Sequence, residues 1–139
     1  MSTRNKLLTV NDVMLKPGEF PVVEERAILK EALEAMGKSK LGIVSIVNAD
    51  NYLVGVITDG DIRRKLLKDQ KPFSAFFVDD AVEHGIRSPK VVNPESSLVD
   101  AVALMGTHQI WDLPVVSGDG ELVGLLHLHP AVKALLEMN

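Results

Sequence analysis

The sequence predicts an α/β fold built as two tandem β-α-β-β-α units related by a pseudo-two-fold axis. Two observations predict it. Residues 21–61 recur at residues 90–130 with a constant offset of 69 and no gap, eleven of the forty-one aligned positions being identical. Within each copy, apolar residues at helical spacing alternate with short β-branched runs bounded by turn residues. The identities, among them Val22-Val23 with Val91-Val92, Met36-Gly37 with Met105-Gly106 and Leu53-Val54-Gly55 with Leu122-Val123-Gly124, are the types that set a core and its turns. A unit this short buries little core alone, so the copies are expected to pair, with Val54 and Val123 in equivalent core positions.

In the first copy, Phe20 to Val23 reads as a strand. Ile28, Leu29, Ala32, Leu33 and Met36 then form one apolar stripe of a helix, with Glu24 and Glu25 at its positive end and Gly37 as its stop. Ile43 to Val47 is a buried strand, Asn48 to Asn51 a turn, and Tyr52 to Ile57 the returning strand of a hairpin. Asp59 to Lys68 is a helix that opens with acids and closes with bases, in accord with its dipole. The second copy gives strand Lys90 to Val92, helix Leu98 to Met105, strand Leu113 to Val116, turn Ser117 to Gly120, strand Glu121 to Leu126 and helix Pro130 to Leu136. Pro130 suits a first helical position, where no hydrogen bond is lost. The expected domains are a linker at 1–9, repeat 1 at 10–70, a connector at 71–80 and repeat 2 at 81–139. Pro72 ends the preceding helix, and Phe73, Phe76 and Phe77 indicate a connector that packs rather than dangles.

Composition excludes several functions. The chain has 139 residues, 46% of them hydrophobic, with no apolar run long enough to cross a membrane and no signal-peptide pattern between Met1 and Lys6. Zero cysteines remove disulfides, thiol nucleophiles and thiolate metal sites, and agree with a cytoplasmic location. A net charge of −4 argues against nucleic acid as partner; the basic cluster Arg63-Arg64-Lys65 with Lys68 is local. No nucleophile and base stand at a recognisable spacing, so the chain is read as a non-enzyme needing no cofactor.

Two β-α-β-β-α units, each with a Gly in its last strand, resemble a CBS-domain pair, the regulatory module named after cystathionine β-synthase. The resemblance runs from Val10-Asn11-Asp12-Val13-Met14 to the last helix. Two segments, Gly55-Val56-Ile57-Thr58-Asp59-Gly60-Asp61-Ile62-Arg63-Arg64 and Gly124-Leu125-Leu126-His127-Leu128-His129, are similar to the CBS pair at the C-terminus of bacterial arabinose-5-phosphate isomerases. CBS pairs of sugar nucleotidyltransferases share the first string; the His-Leu-His segment favours the isomerase type. In the isomerase family a separate sugar-isomerase domain carries catalysis, and Leu7-Leu8-Thr9-Val10 looks like the joint that follows it. The resemblance therefore implies a regulatory fragment, or a stand-alone relative, whose partner is a sugar-isomerase domain. It also implies a homodimer, since CBS pairs commonly associate through their helices.

A strand ending at Ile57 delivers Thr58 to a helix start, where unpaired N–H groups and the dipole favour phosphate. Thr58 adds a hydroxyl donor, and Asp61 can accept from both hydroxyls of a ribose. CBS pairs that bind adenosine nucleotides use the matching Thr and Asp in these roles. The alternative is that Asp59 or Asp61 caps the helix and Thr58 is a turn residue. Arg63 or Arg64 can neutralise phosphate, or both can lie on a solvated face. In the second copy the equivalents are His127 and Pro130, where the isomerase family usually carries Asp in place of the proline, so the halves are unequal. His127 and His129, two apart on a strand, are candidates to contact an anion or sugar. A metal would need further ligands from His84, His108 or Asp112 at a spacing not seen here, so none is assigned. Trp111 either stacks on a ligand base or packs at an interface.

Two functions remain. One is a regulatory module whose nucleotide or nucleotide-sugar ligand modulates an attached isomerase; adenine nucleotides are the generic CBS ligands, whereas an isomerase of Kdo biosynthesis implies a cytidine nucleotide sugar. The other is a ligand-free assembly module, which gives Asp61 no purpose.

Overall fold

The structure, a computed structural model, describes residues 8–69 and 72–137. The expectations placed on Met1 to Leu7, on Gln70 and Lys71, and on the side chain of Phe73 lie outside the described residues. The chain divides into two compact units, one of Gly18–Pro89 and one that joins the residues up to Pro17 to those from Lys90 onward. Among the described residues no helix is long and apolar enough to cross a membrane.

The first unit holds β1 (Val22–Glu24), α1 (Leu29–Ser39), β2 (Ile43–Val47), β3 (Leu53–Thr58), α2 (Asp59–Lys68) and the short α3 (Phe73–Phe76). Its sheet has the order β1-β2-β3, parallel across the α1 crossover and antiparallel across the hairpin. The helix α1 starts later than Glu24 and Glu25 suggested. Glu24 belongs to β1, and the acid at the positive end is Glu31, whose Oε1 accepts from the Ile28 N–H at 3.0 Å. Gly37 does not stop the helix either. One glycine in a helix interior costs only about 1 kcal/mol, and α1 runs two residues further to Ser39, where Lys40 closes it in the left-handed conformation at φ 57°. At the hairpin, the Asn48 side chain accepts from the N–H groups of Asp50 and Tyr52, both at 3.0 Å, which fixes the turn that delivers β3. Leu29, Ala32 and Met36 bury one face of α1 against Val44, Ile46 and Ile57 of the sheet, with Phe76 and Ala81 closing the cluster.

The second unit holds α4 (Leu98–His108), β4 (Asp112–Val116), β5 (Leu122–His127) and α5 (Leu128–Leu136). Ser97 caps α4 by accepting from the Asp100 N–H at 3.1 Å. Gly106 again lies inside the helix, and Gln109 takes the left-handed closing position at φ 54°. Its core repeats the first: Leu98, Ala101 and Met105 pack on Leu113, Val115 and Leu126, while Val54 and Val123 are partly buried against their respective clusters. The strand expected at Lys90 to Val92 is reduced to a single parallel bridge between Val92 and Val115. The reason is one residue. In the first copy the Ser45 N–H donates to Pro21 O at 3.1 Å, but the equivalent position is Pro114, which has no N–H to give to Lys90.

Each unit also takes in a segment that precedes a repeat. Thr9 and Leu15 bridge to Ser97 and Leu125, while Asp80 and Ile86 bridge to Ile28 and Val56. The segment Thr9–Leu15, through a 3-10 turn at Val10–Asp12, thus packs with the second copy, and the turn at Ala81–His84 packs with the first. The glycine of each Leu-Val-Gly identity marks the crossing. A Cβ on Gly55 would stand 3.0 Å from Ile86 O, and one on Gly124 would stand 2.9 Å from Leu15 O. The strand can admit the incoming backbone only where a side chain is missing.

Candidate functional site

In the first copy β3 ends at Thr58 and α2 begins at once, so the strand-to-helix turn has no spare residues. Thr58 is the N-cap: its Oγ1 accepts from the Asp61 N–H at 3.1 Å, and the Asp61 Oδ2 accepts from the Thr58 N–H at 3.0 Å. This reciprocal box satisfies two donors. The Asp59 N–H goes to Gly42 O at 3.0 Å. Of the first three N–H groups of α2, that of Gly60 is therefore the one with no partner among the described residues. Asp61 Oδ1 accepts from Arg64 Nη2 at 2.7 Å; the carboxylate is 12% exposed and the arginine 67%. An ionised carboxylate offers about four acceptor positions, so the box and Arg64 leave two open. The capping reading of Asp61 is thus what the geometry contains, and it holds the carboxylate in place without exhausting it. The Thr58 hydroxyl likewise keeps its proton free to donate.

The structure also separates the two arginines. Arg64 sits against Asp61, three residues on along the same helix face, while Arg63 is exposed. The sequence left open which of Arg63 and Arg64 serves the site; the i, i+3 spacing from Asp61 to Arg64 was the signal that pairs these two.

The second copy is built differently. His127 ends β5 and stands as N-cap of α5, but its side chain makes no capping bond, and the helix begins at Leu128, two residues before the predicted start. Pro130 is therefore the third helical position, equivalent to Asp61, where it has neither a carboxylate nor an N–H. The expected shared strand face of His127 and His129 is not present: His129 is exposed on the first turn of α5. His127 Nδ1 instead lies 2.7 Å from Asp112 Oδ1, with the imidazole 30% and the carboxylate 9% exposed. Trp111 is 71% exposed, and its carbonyl accepts from the Leu128 N–H at 2.9 Å, the bond that Gly42 makes to Asp59 in the first copy. Among the described residues no group of three or more His, Asp or Glu side chains is placed to hold a metal ion.

The CBS-domain family model matches residues 10–68 and again residues 82–136. The chain belongs to the CBS-domain family. It carries the motif twice, as a tandem pair. Among solved structures, CBSX2 in complex with AMP is 30% identical, with a TM-score of 0.81, and the alignment covers 94% of this chain and 97% of that one. The CBS-pair protein CBSX2 from Arabidopsis thaliana superposes with a TM-score of 0.82 at the same identity. Arabinose 5-phosphate isomerase KdsD of Yersinia pestis is 34% identical over 131 residues, which is 94% of this chain and 38% of that enzyme. The KdsD of Escherichia coli K12 gives the same identity and coverage. This CBS pair thus spans well under half the length of the isomerases it matches.

Proposed function

We propose that this CBS pair is a regulatory module that binds a nucleotide or nucleotide sugar at the β3–α2 junction and modulates a sugar-phosphate isomerase, attached or partner. The observation that carries the reading is the partly used carboxylate of Asp61, fixed by the Thr58 box and Arg64 with two acceptor positions open. Two neighbouring hydroxyls of a ribose fit those positions. The Thr58 hydroxyl and the Gly60 N–H, at the positive end of α2, suit a phosphate, and Arg64 or the exposed Arg63 supplies countercharge. The AMP complex of a CBS pair 30% identical to this one supports an adenosine nucleotide. The match to KdsD supports an isomerase as the regulated partner. A cytidine nucleotide sugar is the competing ligand.

A thermal-shift screen with AMP, CMP and a CMP-linked sugar acid tests the reading. A ligand at a hundred times its dissociation constant is expected to stabilise the fold by about 2.7 kcal/mol. No shift with any of the three would leave the ligand-free assembly role. Homodimerisation belongs to the same proposal. It is supported by large apolar side chains left exposed near the helix ends, Leu67 on α2 and Leu136 on α5, at 80% and 70%. Light scattering should give twice the 15.2 kDa chain mass; a monomer at high concentration would contradict it.

A further inference from the structure

Gly60 occupies the second position of α2, where its backbone is helical and no left-handed conformation calls for a glycine. Glycine is also a poorer helix former than alanine. What its missing side chain provides is room. A Cβ there would stand 3.3 Å from Arg64 Nη1 and 3.5 Å from Nη2, so the guanidinium folds back four residues along α2 and lies over the Gly60 Cα. That placement runs against the helix dipole, which favours a cation at the other end. Stability does not account for it either, because Arg64 meets Asp61 at 2.7 Å with its own side chain 67% exposed, and exposed ion pairs contribute little. What the pair does is brace a planar fork of N–H donors. One of them reaches Asp61, and the fork lies over the same residue whose N–H has no partner among the described residues. The second copy has no such seat: its equivalents of Gly60, Asp61 and Arg64 are His129, Pro130 and Lys133.

We propose that Arg64, braced by Asp61 and admitted by Gly60, is the specificity-determining residue that makes the first copy select a nucleoside with a phosphate monoester over the same nucleoside without one. A phosphate monoester carries a charge of about −1.5 to −2 at pH 7. Its oxygens also match the two-pronged geometry of a guanidinium, so the fork discriminates where a single uncharged donor would not. The inference rests on the reading that the α2 junction binds a nucleotide, and it names the ligand class that the junction prefers.

Calorimetric titration of the full chain with AMP and with adenosine reads the preference as a ratio of affinities. AMP should bind the unaltered chain more tightly than adenosine. Arg64→Gln should weaken AMP about tenfold, the loss of one charge-assisted contact, and leave adenosine within about twofold. Arg64→Lys, which keeps the charge but not the fork, should restore only part of the loss. Gly60→Ala, which pushes the guanidinium off its seat, should weaken AMP selectively. Its thermal midpoint should hold or rise, because alanine is the better helix former. Equal losses for AMP and adenosine in Arg64→Gln, full AMP affinity in Gly60→Ala, full recovery in Arg64→Lys, or no preference for AMP in the unaltered chain would each overturn the inference while leaving a nucleoside site in place. Binding of neither compound to the unaltered chain would overturn the nucleotide reading and this inference together.

Discussion

Asp61→Ala is expected to weaken nucleotide binding roughly tenfold to a hundredfold. The magnitude follows from losing a charged acceptor to ligand hydroxyls, about 1.5–3 kcal/mol. The loss should exceed that from any change in the second copy, because only the first combines a carboxylate, a hydroxyl donor and a free N–H at a helix start. The carboxylate also receives the Thr58 N–H and Arg64, so the substitution removes part of the helix cap. A cap is worth about 1 kcal/mol, and Asp61→Asn, which keeps an acceptor for the Thr58 N–H, controls for it. Calorimetric titration with AMP of Asp61→Ala, Asp61→Asn and His127→Ala reads the outcome. His127→Ala should bind the nucleotide almost normally. A greater loss at His127 than at Asp61 would place the nucleotide in the other half.

Phe76→Ala is expected to destabilise the first unit by about 3–5 kcal/mol. Its ring is 2% exposed and belongs to the same cluster as Leu29, Val44 and Ile57. It also tilts against the His84 ring, with centroids 5.8 Å apart, and His84 Nε2 in turn lies 2.8 Å from Asp79 Oδ2. Truncation therefore leaves a cavity bounded by β-sheet on one side and on the other by the buried His84 ring, held by the partly exposed Asp79. Urea unfolding should show a lower midpoint with an unchanged slope; a loss below 1 kcal/mol would mean that α3 packs only loosely.

The connector's phenylalanines pointed to packing before any coordinates, because a free linker gains nothing from large apolar rings, and Phe76 realises that expectation. The gapless repeat likewise disclosed both hairpins and the placement of the α1 and α4 stripes, whose core residues are identical pairs. The exchange of the segments Thr9–Leu15 and Asp80–Ile86 was not legible. They share no identical residue and stand two positions out of step with the repeat, so their likeness exists only in backbone pairing. Helix ends were misjudged for a local reason: Gly37 looked like a stop and the second-copy helix was ended at Met105, whereas Lys40 and Gln109 accept the left-handed conformation at a cost the core outweighs. At the site, Thr58 and Asp61 were visible as a motif, but the capping box that orients them needed coordinates. Asp112 was missed as the partner of His127 because the predicted strand began one residue late, at Leu113. With the strand extended by that residue, the hairpin register sets the two opposite each other.

The central claim, a nucleotide held by the first copy at the start of α2, is tested most directly by amide NMR of the full chain titrated with AMP. The largest shifts are expected at Thr58, Gly60 and Asp61, whose N–H groups form the capping box and the open donor. Smaller changes should appear at His127, His129 and Asp112. Saturable binding with the largest shifts at the start of α5, or no shift at the α2 junction at millimolar AMP, would contradict it.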